Sequence, residues 1–149
     1  MNELKQLIQH ELDNLNIKYD YNKDGNFFAY FINMDNSIGS IKVIIQLMDE
    51  KYLVYAFINN RARKTRISAV SEFLHRANFG LINGNFELDY KTGEICYKSF
   101  VNATETSISG AIIRESLLVP VMMISKYGDG LLKVMTSTST PESIIKDIK

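Results

Sequence analysis

Glu87 and Asp89 stand two apart in "NFELDY". On a strand that spacing puts both carboxylates on one face, roughly 7 Å apart. Paired acids at such a distance could work as acid and base in glycoside hydrolysis. The chemistry requires burial or an apolar wall to keep one carboxyl protonated, and the neighbouring residues supply neither. The expected role is a solvated hairpin face. A second acidic run, "DYNKDG", places Asp20, Asn22 and Asp24 at alternate positions before Gly25, which is the first half of a calcium loop. A complete loop closes its oxygen cage with a bidentate Glu at the twelfth position. Counted from Asp20, that position is Phe31. The run therefore predicts a turn held by Asp24 and Gly25, and no bound metal.

The remaining reactive side chains are sparse. His10 and His75 are the two histidines and Cys96 the one cysteine. A zinc site draws about four ligands, usually at short spacings, and these three are scattered. A Cys96–His75 nucleophile pair would need the fold to join them, without a local signature. No glycine-rich loop follows a strand and opens a helix, so no nucleotide cofactor is expected. The sharpest charge feature is "RARKTR", with Arg61, Arg63, Lys64 and Arg66 just ahead of a predicted helix. Cations there oppose the helix macrodipole. They suit either a solvated loop or the docking of an acidic partner.

Composition narrows the class. The chain has 149 residues, with 17 Lys+Arg against 17 Asp+Glu. That length favours one domain over 1–149 with one core. Zero net charge lacks the basic surplus by which nucleic-acid binders neutralise phosphates. A single cysteine cannot staple the chain to itself, which fits a reducing compartment. "MNELKQLIQHELDNL" is charged throughout and has no apolar signal core. "LLVPVMMI" is too short to span a bilayer. A cytoplasmic protein with no membrane segment is expected.

The elements that must position these residues begin with a helix. Leu4, Leu7, Ile8, Glu11, Leu12 and Leu15 recur at spacings of three and four, giving one largely apolar side. Asn2 is placed to cap it, with Glu3 in the first turn. The period then shortens to two. "IKYDY" reads as extended, "NKDG" as a turn, and "FFAYFIN", "IKVIIQLMD" and "YLVYAFIN" as strands. Their short connections demand antiparallel neighbours. A second helix is expected over residues 65–78, striped by Ile67, Val70, Leu74 and Ala77 and closed by Gly80. A hairpin follows. With residues 90–93 as its loop, Phe86 faces Tyr97 and Leu88 faces Ile95, leaving Glu87 and Asp89 on the other side. The last third is helical, capped by Ser107 or Ser109 and striped by Ile112, Ile113, Leu117, Val121, Ile124 and Leu131. Pro120 should kink or split it, and "YGDG" should end or break it. In "STPESIIKDIK", Thr140 caps a short terminal helix with Pro141 at its first position.

The sheet carries the main functional signal. Ile41, Val43, Ile45 and Leu47 form one apolar face, matched by Tyr52, Val54, Ala56 and Ile58, and this face suits the helices. The other is expected to carry Phe28, Tyr30, Ile32, Ile44, Met48, Leu53, Tyr55 and Phe57, unlike the polar side of a half-exposed sheet. A Tyr-rich apolar face of that kind normally meets another surface. Phe28, Tyr30, Ile44, Tyr55 and Phe57, with Arg61, Arg63, Lys64 and Arg66, are the candidate partner-binding residues. Two copies sharing the face across a two-fold axis would form a homodimer; the alternative cover is the final helices.

The order of elements around "FLHRANFGLINGNFELDYKTGEICYKS" resembles the YbjN family, catalogued as candidate bacterial sensory transduction regulators. The matching positions are Asn78, Gly84, Phe86, Leu88, Asp89, Gly93 and Glu94, with Tyr127 in the last helix. The family's usual proline before the second helix is replaced by "RKTR", and the glycine pair of "YGDG" is atypical. The resemblance covers most of the chain. It implies a fold like the type III secretion chaperones, which are small α+β binding proteins, and it brings no catalytic residues. The expected architecture is two-layer α+β, with an antiparallel sheet of about five strands in the order α-β-β-β-α-β-β-α. The expected function is a non-enzymatic protein-binding or chaperone-like regulatory module. The rival is a small-molecule or metal-dependent enzyme using Glu87 and Asp89 or the Asp20–Asp24 loop.

Overall fold

A computed structural model describes residues 3–149. The elements are α1 (Glu3–Asn14), β1 (Asp20–Asn22), β2 (Phe27–Asn33), β3 (Ser40–Met48) and β4 (Lys51–Ile58). A 3-10 turn (Lys64–Arg66) leads into α2 (Ile67–Asn78), followed by β5 (Asn85–Leu88), β6 (Ile95–Asn102), α3 (Gly110–Thr136) and α4 (Pro141–Ile148). The strands make one antiparallel sheet in the order β1-β2-β3-β4-β6-β5. The architecture is α+β, as expected, but with six strands rather than about five. The extra strand, β1, joins the end of "IKYDY" to the first residue of "NKDG": Asp20 pairs with Ala29 and Asn22 with Phe27. The expected cap Asn2 lies outside the described residues.

Helices cover one face of the sheet. A row of side chains crosses that face from Tyr30 through Val43, Ala56 and Tyr97 to Phe86, all buried. The neighbouring row runs Phe28, Ile45, Val54, Ser99. Phe28 and Tyr30 therefore belong to the core, at 0% and 2% exposure, and not to the opposite face where alternation placed them. Ile32, opposite Ile41, moves with them. The reason is register. "FFAYFI" is apolar in both phases of the strand period, so only the pairing with β3 decides which phase faces the helices.

Tyr30 carries a consequence. Its hydroxyl is buried without a hydrogen-bond partner among the described residues, and burial pushes the phenol's pKa well above its usual value. Tyr52, by contrast, has its hydroxyl 2.7 Å from Ser116 Oγ, which donates in turn to Ile113 O at 2.6 Å. Deleting an unsatisfied buried hydroxyl removes its desolvation penalty. Tyr30→Phe is therefore expected to raise unfolding stability by about 1–2 kcal/mol in urea denaturation. A loss of stability would show that the hydroxyl is satisfied.

α3 departs most from expectation. Ser109, not Ser107, caps it by accepting from Ile112 N–H at 3.2 Å. It then runs unbroken for 27 residues through both Pro120 and "YGDG". The two glycines serve close approach. A Cβ on Gly128 would lie 2.6 Å from Ile38 Cγ1, and one on Gly130 would lie 2.6 Å from Ile148 Cδ1. The loop between β2 and β3 docks at the first of these positions. Asn36 donates from Nδ2 to Ile124 O at 3.0 Å, and Ser37 N–H donates to Asp129 Oδ1 at 2.9 Å. α4 packs at the second. It begins as expected, with Thr140 accepting from Ser143 N–H and Pro141 in the first turn. Ile112 falls off the buried stripe and is 46% exposed.

Candidate functional site

The face of the sheet away from the helices is uncovered, and the pairing register writes its composition row by row. At one end Phe31, Lys42, Phe57, Cys96 and Glu87 lie side by side across β2, β3, β4, β6 and β5. Next come Ala29, Ile44, Tyr55, Lys98 and Asn85. The third row is Phe27, Gln46, Leu53 and Phe100, and Met48 with Lys51 lies near the β3–β4 turn. Tyr55 and Phe57 stack with ring centroids 5.6 Å apart. Phe31 is 69% exposed and Phe100 51%. Of the expected face residues, Ile44, Met48, Leu53, Tyr55 and Phe57 are where alternation placed them. Phe27, Phe31 and Phe100 belong to the face and were missed. Phe100 was legible in the alternation of "ICYKSFVN", whereas the two on β2 needed the register.

The face is not flat. At the Phe31 end it sinks into a concavity of about 400 Å3, lined by Phe31, Lys42, Ile44, Phe57, Arg61 and Glu94 among others. Beyond Phe57 lies a second, more open hollow containing Tyr55, Glu87 and Cys96.

The paired acids have separate structural duties. Glu87 accepts from Lys98 Nζ at 2.7 Å, and that bond raises the pKa of the ammonium. Asp89 organises the hairpin loop, where its carboxylate accepts from Lys91 N–H at 2.8 Å. The register Phe86–Tyr97 and Leu88–Ile95 is as the sequence predicts. Gly84, at φ +77°, sits where a Cβ would collide with the Lys98 carbonyl, so only glycine lets the chain enter β5 there. Asn78 closes the end of α2 onto the same strand. It accepts from Phe86 N–H at 2.7 Å and donates to Phe86 O at 3.1 Å, which occupies part of the sheet's β5 edge.

Cys96 lies on the open face between Phe57 and Glu87, while His75 sits exposed on α2, on the helical side. The sheet separates them, so they form no nucleophile pair. Burial first, then the charges of Glu87 and Glu94, push the thiol's pKa up to about 12. A folded pKa above the ordinary 9.0 means the neutral thiol's contribution to stability is full below pH 9 and is lost as pH rises toward 12. At pH 8 the folded protein should react with iodoacetamide at least about tenfold more slowly than the urea-unfolded chain, since the thiolate is the nucleophile. Equal rates would place Cys96 in a different environment.

Gly25 takes part in the turn between β1 and β2 as expected, but its partner is Asn22, and Asn26 replaces Asp24 as the second holding residue. Asn22 Oδ1 accepts from Gly25 N–H at 2.7 Å, and Asn26 takes the left-handed conformation at φ +55° and accepts from the Tyr21 hydroxyl. No group of three or more His, Cys, Asp or Glu suited to a metal occurs among the described residues.

The basic cluster divides. Arg66 points to the helices, donating from Nε to Val134 O at 2.8 Å. A cation there complements the negative end of α3, so Arg66 is a structural cap. Arg61 stands at the mouth of the concavity, 3.6 Å from Glu94, with both side chains substantially exposed. Arg63 and Lys64 are exposed and make no ion pair among the described residues.

No protein-family model matches the chain, and no curated protein matches it. Among solved structures, YbjN from E. coli, a proposed transcription regulator, matches with a TM-score of 0.61 at 13% identity. The match covers 82% of this chain and 89% of YbjN. This chain is similar in fold to YbjN. More distant matches are the ExsC–ExsE complex (TM-score 0.48, 12% identity, 84% and 95% coverage) and the HopA1–SchA chaperone–effector complex (0.46, 12%, 80% and 87%). At these identities the YbjN likeness is one of fold, and it agrees with the resemblance read from residues 73–99. No helix among the described residues is long and apolar enough to cross a membrane.

Proposed function

We propose that the chain is a non-enzymatic, chaperone-like protein-binding module of the cytoplasm, and that the uncovered sheet face is its binding surface. The observation that carries this reading is the composition of the face. Phe27, Phe31, Ile44, Leu53, Tyr55, Phe57 and Phe100 form a contiguous surface that none of the helices covers. Soluble monomers rarely leave such a patch bare. The residues able to do chemistry beside it are otherwise engaged: Glu87 by Lys98, Asp89 by its loop, Cys96 as a protonated thiol. YbjN, a proposed regulator, supports a regulatory binding role by fold alone.

With no partner present, a second copy is the cover: two faces pack across a two-fold axis, and partner and second copy compete. Zero net charge offers no repulsion against this. The test is light scattering on wild type and on the double variant Ile44→Lys/Tyr55→Lys. The expected result is a dimer that becomes a monomer with an unchanged circular-dichroism spectrum. A wild type that stays monomeric at high concentration, together with a variant that unfolds, would overturn the assignment and make the face internal core.

A further inference from the structure

We infer that the concavity at the Arg61 end of the open face takes an acidic, apolar peptide segment of a partner protein. This rests on the reading of the face as a binding surface and adds the chemistry of what enters it. Ile44, Phe57 and the exposed Phe31 supply its apolar lining, beside the polar Ser40 and Asn59. Lys42 pairs in register with Phe31 on one side and Phe57 on the other, and it makes no ion pair among the described residues. Its side chain is exposed, so its ammonium is open to an incoming carboxylate. Arg61 reaches Glu94 only at 3.6 Å, with side-chain exposures of 59% and 43%. A pair so exposed holds weakly in water, so Arg61 can exchange Glu94 for an incoming carboxylate.

Two cations and one carboxylate therefore share a hollow of about 400 Å3 with the apolar side chains of Phe31, Ile44 and Phe57. A segment that buries an apolar side chain in the hollow and flanks it with Asp or Glu satisfies Lys42 and Arg61 together. A basic segment meets both cations and is rejected by charge. On β2, β3 and β4 the charged residues of this face are Lys42 and Lys51, while its carboxylates stand at the flanks: Asp20 on β1, Glu87 paired with Lys98 and Glu94 paired with Arg61. A second copy that pairs the central strands sets cations against cations, whereas an acidic segment brings its own carboxylates to Lys42 and Arg61. The acidic segment is the better occupant.

The experiment uses three labelled synthetic 12-residue peptides with the same Leu and Phe positions and with Glu, Gln or Lys between them. Binding to the whole chain is followed by fluorescence anisotropy. The glutamate peptide is expected to bind about tenfold more tightly than the glutamine peptide at low ionic strength, and the gap should narrow as salt is added. Glu94→Gln, which frees Arg61, should tighten the glutamate peptide further. Lys42→Glu/Arg61→Glu changes two exposed side chains, leaves the fold intact by circular dichroism, and should reverse the preference toward the lysine peptide. Equal binding of all three peptides, or a preference unmoved by the charge reversal, would overturn this inference and leave the face as a general apolar binder. Failure of all three to bind would overturn the inference, while the binding role of the face would still stand or fall by the light-scattering test. Oligothymidylate that binds more tightly than the glutamate peptide, and is lost in the charge-reversed variant, would assign the site to nucleic acid and overturn it as well.

Discussion

Replacing Phe86 by Ala is expected to cost about 3–5 kcal/mol of stability, the usual range for deleting a buried aromatic side chain. Phe86 is 5% exposed. Its ring meets Tyr97 edge to face with centroids 4.9 Å apart, and Tyr127 edge to face at 5.8 Å. It therefore joins β5, β6 and α3 at one point, and its backbone is held to the end of α2 by Asn78. Truncation leaves a cavity bounded by two tyrosines whose own positions depend on the ring. The adjacent substitution Glu87→Gln should change stability by no more than about 1 kcal/mol, because the Glu87–Lys98 pair is partly solvated. Chemical denaturation of the two variants checks both numbers. Similar losses, or a larger loss for Glu87→Gln, would mean that the hairpin presents the opposite face to the core.

The hairpin was legible because its pattern has one phase. In "NFEL" the large apolar residues alternate with polar ones, and in "ICYKS" Ile95 and Tyr97 share one phase, so Phe86–Tyr97 and Leu88–Ile95 follow from that pattern and the turn length. β2 was not legible in the same way. "FFAYFI" offers an apolar side chain to either face, and periodicity carries no information when both phases are equivalent. That ambiguity put Phe28 and Tyr30 on the open face and hid Phe27 and Phe31 there. The basic cluster divides for another reason. Arg61 and Arg66 are five positions apart in sequence, yet the chain turns between them, so one reaches the open face and the other caps α3 on the covered side. Local charge density does not report such a turn. The candidate site was thus half visible. Ile44, Tyr55, Phe57 and Arg61 were found from alternation and charge, while Lys42, Phe31 and the concavity they share depend on strand pairing.

"YGDG" shows the limit most clearly, since glycine in a helix reads as a break until the surface it must admit is known. The expected result for Gly128→Leu is a loss of about 3 kcal/mol or more, from overpacking at a contact with no slack. A Cβ there already falls 2.6 Å from Ile38 Cγ1 and 2.8 Å from Asn36 Nδ2. Ile38 is buried, and Asn36 is tied to the helix carbonyls of Ile124 and Ser125. The loop between β2 and β3 can give way only by surrendering those bonds and the one from Ser37 to Asp129. A mutant cycle separates this packing role from mere tolerance of glycine. In wild type, Gly128→Ala should destabilise, because the clash outweighs the gain in helix propensity of about 1 kcal/mol. In an Ile38→Ala background the nearest obstruction is gone, so the same substitution should cost less or become stabilising. The coupling between the two sites should then be on the order of 1 kcal/mol, the scale seen for residues in direct contact. Additive effects would mean that Ile38 does not pack against Gly128, and that α3 crosses the loop at a greater distance than the geometry requires.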